Sequence, residues 1–265
     1  MAKDTTGDGQ RGTQTLSRGL AVLRLVGAGT GSASGIAAAL DVPRSTAQRL
    51  LASLVAEGCL YRIPGKGYVL GPELIHLGAR ARAQQPVLAL ATPVLQRLAA
   101  ATGDTVHLGV PDGDEVLYLD KIDGTRGLEM RSRPGQRMPL AFTGLGKALL
   151  CDTPDPELRA LYDRSAPAQA ALAGRVPPRP WEVFRDDMAE TRARGHSLDL
   201  EENERGIRCV GAPVRHVEGR IVAGLSVASA TPFLPDERMA RLAPLVIAHA
   251  DEISRELGWR PDDDR

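Results

Sequence analysis

The sequence lacks any apolar run of about 18 residues or more, so no segment of it is long enough to cross a bilayer as a helix, and no membrane partner is expected. It has three cysteines, Cys59, Cys151 and Cys209, odd in number and far apart, which excludes a disulfide framework and any C-x-x-C pair. The five histidines, His76, His107, His196, His216 and His249, are scattered without metal-ligand spacing. No metal and no cofactor is therefore expected. Hydrolase and metalloprotease signatures (G-x-S-x-G, H-E-x-x-H) are missing, and no histidine is tied by a motif to Cys209 or Ser226. An enzyme with Cys209 or Ser226 as nucleophile stays only as an alternative, and no residue is assigned a catalytic role. The start of the chain, MAKDTTGDGQRGTQ, is polar and has no signal-peptide core, so residues 1–14 are expected as a disordered tail on a cytoplasmic protein.

Net charge is missing too, with 33 basic and 33 acidic side chains in 265 residues. The balance is uneven along the chain. Residues 1–85 hold ten Lys and Arg against five acids, a net +5, and the remainder is −5. A basic head on an acidic body suits a phosphate-facing domain joined to a domain with another task.

What the head contains fits that role. Residues 16–28 carry an apolar stripe, Leu16, Leu20, Leu23 with Val22, Leu25 and Val26, wider than one packing face requires; the surplus would suit a dimer contact. A short helix is expected over 34–40, capped by Ser34, with a turn at Asp41-Val42 and Pro43 opening a third helix. In that third helix Ala47, Leu50, Leu51, Leu54 and Val55 form a single buried stripe, and Arg44, Ser45, Gln48, Arg49 and Ser53 face the other way. Arg and Gln can pair with purine edges in a major groove, and a short helix, tight turn and longer donor-rich helix is the geometry of a recognition helix. Two strand-like runs follow, residues 60–63 and 68–70, around Pro64-Gly65-Lys66-Gly67, which puts Lys66 at the tip of a hairpin with Arg62 nearby. Spacing alone also admits three core helices and a hairpin with no nucleic-acid role.

Beyond Gly71-Pro72, a helix over 73–84 is expected as a linker and another over 87–101 as the start of a second domain. Strands are then expected over 104–110, 115–122, 127–133, 207–214 and 220–229, with helices near 143–150, 156–162, 181–194 and 236–257, Pro244 bending the last. Two groups of strands with helices between and after them make an α+β or mixed-sheet domain. The run RIVAGLSVAS at 220–229 is nearly all apolar or small, so it should lie centrally, with Cys209 in the neighbouring strand. Thr143-Gly144-Leu145-Gly146-Lys147 leads into a helix whose N-terminal N–H groups can hold an anion such as a carboxylate. Each of these residues also has a plain reading: a buried small thiol, a solvated acidic loop at 199–202, glycines for close packing.

Over residues 16–258 the chain resembles the IclR-type transcriptional regulators. The likeness is carried by Ser17-Arg18-Gly19-Leu20-Ala21-Val22-Leu23, by residues 43–51 (PRSTAQRLL) and by Tyr68-Val69-Leu70-Gly71 in the head. In the body it is carried by residues 143–148 (TGLGKA), by Gly195, Asp199 and Glu202, and by residues 209–214 (CVGAPV). The resemblance implies an α+β chain. A winged helix-turn-helix DNA-binding domain would span residues 15–71, a helical linker 72–85 and a GAF-like mixed α/β effector domain 86–260, assembled as a dimer or a dimer of dimers. Double-stranded operator DNA would meet Arg44, Ser45, Thr46, Gln48 and Arg49, with Arg62 and Lys66 on the backbone. An effector, a metabolite with a carboxylate, would meet the backbone of Gly144 and Leu145 and the side chains of Asp199, Cys209 and Ser226. Members that bind small oxoacids carry a second serine two residues after the first, where this chain has Ala228, and His216 stands where Asp or Asn is usual. The lost hydroxyl favours a ligand with an apolar portion. The function so implied is a ligand-responsive regulator of a catabolic or metabolic operon; a DNA-binding scaffold whose second domain only oligomerises is the other alternative.

Overall fold

The computed structural model describes residues 6–84, 86–126, 130–171 and 174–260, apart from the side chains of 6–12, 82 and 83. The chain divides into two compact units, residues 1–84 and 85–265. In the first, α1 (Thr6–Gly27), α2 (Ala33–Ala39) and α3 (Arg44–Ala56) share one core. Val22 and Val26 meet Ile36, Ala37, Ala47, Leu50 and Leu51 there, and Leu60 closes it. The hairpin of β1 (Leu60–Ile63) and β2 (Gly67–Leu70) follows, then α4 (Pro72–Ala83). Backbone contact holds the hairpin in place: Tyr68 N–H donates to the Gly31 carbonyl at 2.8 Å. Gly67 adopts φ +94°, and a Cβ there would meet the Gly31 oxygen at 2.3 Å, so only glycine fits.

Helix α1 begins at Thr6, inside the expected tail. Its described side chains at 13–16 are exposed, and an exposed extension carries no apolar period to mark it. Ser32, not Ser34, caps α2, accepting from Gly35 N–H at 3.1 Å, because the cap must precede the first helical residue. Pro43 is the N-cap of α3 rather than its first residue. The buried stripe of α3 fades after Leu51: Leu54 is half-buried and Val55 is 39% exposed.

The second unit is a six-stranded antiparallel sheet between helices. It comprises α5 (Pro86–Thr102), β3 (Thr105–Asp112), β4 (Glu115–Ile122), β5 (Arg137–Pro139), α6 (Gly144–Leu149), α7 (Asp155–Ala171), α8 (Trp181–Arg194), β6 (Ser197–Leu200), β7 (Ile207–Arg215), β8 (Ile221–Ala230) and α9 (Asp236–Glu256). The strand order is β5-β4-β3-β8-β7-β6, with β8 central as expected and Cys209 paired to Ala228 across from it. The strand expected over 127–133 is not found: residues 130–133 are irregular, 127–129 lie outside the described residues, and β5 is the strand that pairs with β4. Short β5 and β6 sit at the edges, and α7 runs well past its expected end.

Period-two alternation gives the sheet two unlike faces. Val106, Leu108, Val210, Ala212, Val214, Ala223, Leu225 and Val227 join α5 and α9 in the larger core. The residues between them, His107, Gly109, Cys209, Gly211, Gly224, Ser226 and Ala228, are mostly small, and this face receives α6. A Cβ on Gly211 would meet Ser197 Oγ at 2.6 Å and the Gly144 oxygen at 2.8 Å. Glycine thus lets the helix approach, while the missing side-chain bulk leaves a hollow beside it.

Candidate nucleic-acid interface and effector cavity

Arg44, Ser45, Gln48, Arg49 and Ser53 are all exposed on α3, with Ala47, Leu50 and Leu51 buried behind them. Thr46 is half-buried, its hydroxyl 3.5 Å from Arg49 Nη2. Arg44 occupies the first turn of α3, where no acidic residue balances the helix's positive end. The guanidinium and the helix's positive end repel there, a repulsion that a phosphate or guanine edge would relieve. At the hairpin tip Gly65 and Gly67 take positive φ, and Lys66 and Arg62 project exposed.

In the second unit the hollow beside α6 is a cavity of about 540 Å³ of atom-free space, part of it open to solvent. All five residues carried over from the resemblance, Gly144, Leu145, Asp199, Cys209 and Ser226, line it. Thr143 caps α6, its hydroxyl accepting from Gly146 N–H at 2.9 Å. A Cβ on Gly144 would strike Cys209 Sγ at 2.7 Å, so the first turn of α6 rests on the cysteine.

The floor is polar but sparingly charged. Burial pushes the Cys209 thiol up to about 12, with Asp199 adding to the shift, which keeps it a protonated thiol near neutrality. Burial also pushes Asp199 up to about 6, against the pull of Lys147 and the backbone N–H groups of Glu202 and Asn203. His107 falls to about 4 through burial, with Lys121 adding to it, so its ring is neutral; Nε2 lies 2.7 Å from Ser132 Oγ. Beside the floor, Lys147 is fully buried with Nζ 2.6 Å from Asp187 and 2.8 Å from Glu202. Burial opposes its charge, and Glu202, Asp187 and Asp199 overcome that opposition and hold its pKa above the ordinary lysine value.

The acidic run is consequently no free solvated loop. Asp199 accepts from Glu202 N–H at 2.8 Å, Glu201 accepts from Gly206 N–H at 2.9 Å, and Glu202 pairs with Lys147. Sequence reasoning missed His107, Tyr118, Ser132, Arg175, Asn203 and Glu204, which also line the cavity. His107 had a signal: it faces Ser226 across the ladder, in step with the small residues. Arg175 had none, since it sits in the irregular stretch between α7 and α8.

Comparison with known proteins settles the family. The model described as the IclR helix-turn-helix domain matches residues 15–64, and that for the bacterial transcriptional regulator IclR C-terminal region matches residues 79–255. The chain belongs to the IclR family. It is 34% identical over 224 residues to the HTH-type transcriptional regulator XynR of Escherichia coli, spanning 83% of this chain and 86% of that one. With the regulator BhcR of Paracoccus denitrificans it shares 30% identity over 262 residues, 95% and 90% of the two chains. The crystal structure of the Thermotoga maritima IclR aligns with a TM-score of 0.77 at 30% identity, covering 93% of this chain and all of that one. This IclR-family chain is a DNA-binding transcriptional regulator with a helix-turn-helix head and a GAF-like second domain. Among the described residues, no helix is long and apolar enough to cross a membrane, and no cluster of three metal-ligating side chains occurs.

Proposed function

We propose that the chain regulates a catabolic or metabolic operon from the cytoplasm, reading operator DNA with Arg44, Ser45, Thr46, Gln48 and Arg49 while Arg62 and Lys66 hold the backbone. The observation that carries this reading is the exposed donor face of α3, set above a buried Ala47, Leu50 and Leu51. An effector occupies the cavity at Gly144, Leu145, Asp199, Cys209 and Ser226. Its chemistry is a carboxylate joined to an apolar body, supported by Leu145, Met138, Ile207 and Ala228 on the cavity wall. The chain works as a dimer or dimer of dimers. Leu16 and Leu20, 66% and 45% exposed on α1, support a contact with a second copy, and a dimer reads two half-sites about one helical turn apart. We assign no catalytic role: burial keeps the Cys209 thiol protonated, which suits a cavity-lining group rather than a nucleophile.

The test uses purified protein, DNA upstream of its own gene, and a broad metabolite library. A true effector raises the melting temperature by mass action and changes retardation of that DNA. Retardation that no compound alters, with no thermal shift across the library, would instead establish the scaffold alternative.

A further inference from the structure

Two arginines line the cavity, the exposed Arg131 and the largely buried Arg175, a cation no sequence pattern marks. Its side chain is 17% exposed, and Nη1 donates to Glu204 Oε2 at 3.2 Å. Among the described residues, the hydrogen-bond partner of Nη2 is the sulfur of Met138, a weak acceptor, at 3.8 Å. A guanidinium presents five donors in a fork shaped for two carboxylate oxygens, so this one-point ion pair uses little of what Arg175 offers. Glu204 lies on the loop between β6 and β7, where the other acids are tied inward to Lys147 and to backbone N–H groups. Its side chain is 30% exposed, against 10% for Glu202. Next to it, Asn203 Oδ1 is buried without a hydrogen-bond partner among the described residues, on the same cavity. An acceptor buried and unpaired costs free energy until a donor arrives.

We infer that Arg175 selects anionic effectors, and that Glu204 is a built-in surrogate carboxylate which the effector's own carboxylate displaces. The inference rests on the cavity being the effector site, and it seats the carboxylate on Arg175 rather than at the first turn of α6, where the Gly146 and Leu145 N–H groups already meet Thr143 and Cys209. Exchange of one carboxylate for another leaves the charge around Arg175 unchanged, and Glu204, already part-exposed, returns to water. The ligand gains the bidentate geometry that Glu204 does not reach, and a hydroxyl or N–H on its body can satisfy Asn203. Displacement also frees one tether of the loop whose neighbouring acid, Glu202, grips Lys147. Ligand arrival is thereby coupled to that loop through a differential contact rather than through distance alone.

Calorimetry on the full chain with propionate, hexanoate and benzoate, each beside its uncharged amide, tests this. Wild type is expected to prefer the acids. Glu204→Gln, which removes the competitor, should tighten acid binding about tenfold, and Arg175→Gln should weaken it about 10- to 100-fold and erase the preference over amides, with Arg175→Lys between. Unchanged acid affinity in Glu204→Gln, or an acid preference kept by Arg175→Gln, overturns the inference while the cavity stands as the effector site. Amide binding without acid binding does the same. Absence of binding by any probe, together with a metabolite library that shifts neither melting nor DNA retardation, overturns both.

Discussion

In the first unit Arg44, Gln48 and Arg49 stand in solvent, with the apolar core directly beneath their helix. In the second, Lys147, Asp199 and Ser226 are buried, and Lys147 and Asp199 are held by Glu202, Asp187 or backbone N–H groups. Exposed donors cost the fold almost nothing, so they can serve an external partner freely. Buried ones are costly to desolvate and persist because their neighbours satisfy them. Substitution should therefore strike binding first in the head and stability first in the body.

The largest expected effect is at Lys147. Lys147→Met would leave Asp187 and Glu202 facing each other without their shared cation, at a cost of about 3–5 kcal/mol in urea unfolding. A loss below about 1 kcal/mol would erase the contrast between the units. At Asp199 the sign reverses. Its raised folded pKa means that the native state keeps a proton the unfolded chain has lost, so its contribution to stability falls as pH climbs from 3.8 to about 6 and is level above that. Asp199→Asn should remove this slope and be the more stable protein above about pH 6, by roughly 1–3 kcal/mol. Parallel pH profiles for the two proteins would contradict the burial assigned to that carboxyl. The smallest effect belongs to the hairpin tip: Lys66→Ala should leave unfolding unchanged, weaken all duplexes alike and reduce the salt slope of DNA binding by about 1.

Legibility differed between the units for physical reasons. The head was readable because local rules govern it: the stripe from Ala47 to Leu51 and the Pro-Gly-Lys-Gly tip each announce an element within a few residues. Central β8 was readable from its apolar run, and the five carried-over residues do converge on one cavity. Edge strands β5 and β6 were missed because three or four residues show no period. The Arg175–Glu204 pair joins positions 29 apart in the chain through irregular backbone, where no spacing rule operates. Ser34 was mistaken for Ser32 because two serines two residues apart offer the same cap chemistry, and only the backbone decides.

The most direct measurement sets operator affinity and unfolding free energy side by side for the Arg44→Ala, Gln48→Ala double variant. Specific binding to the upstream DNA should fall by about 100-fold or more, at roughly 1–3 kcal/mol for each lost base contact, while unfolding changes by less than about 0.5 kcal/mol per site. Wild-type affinity for that DNA in a folded double variant would contradict the account at its centre.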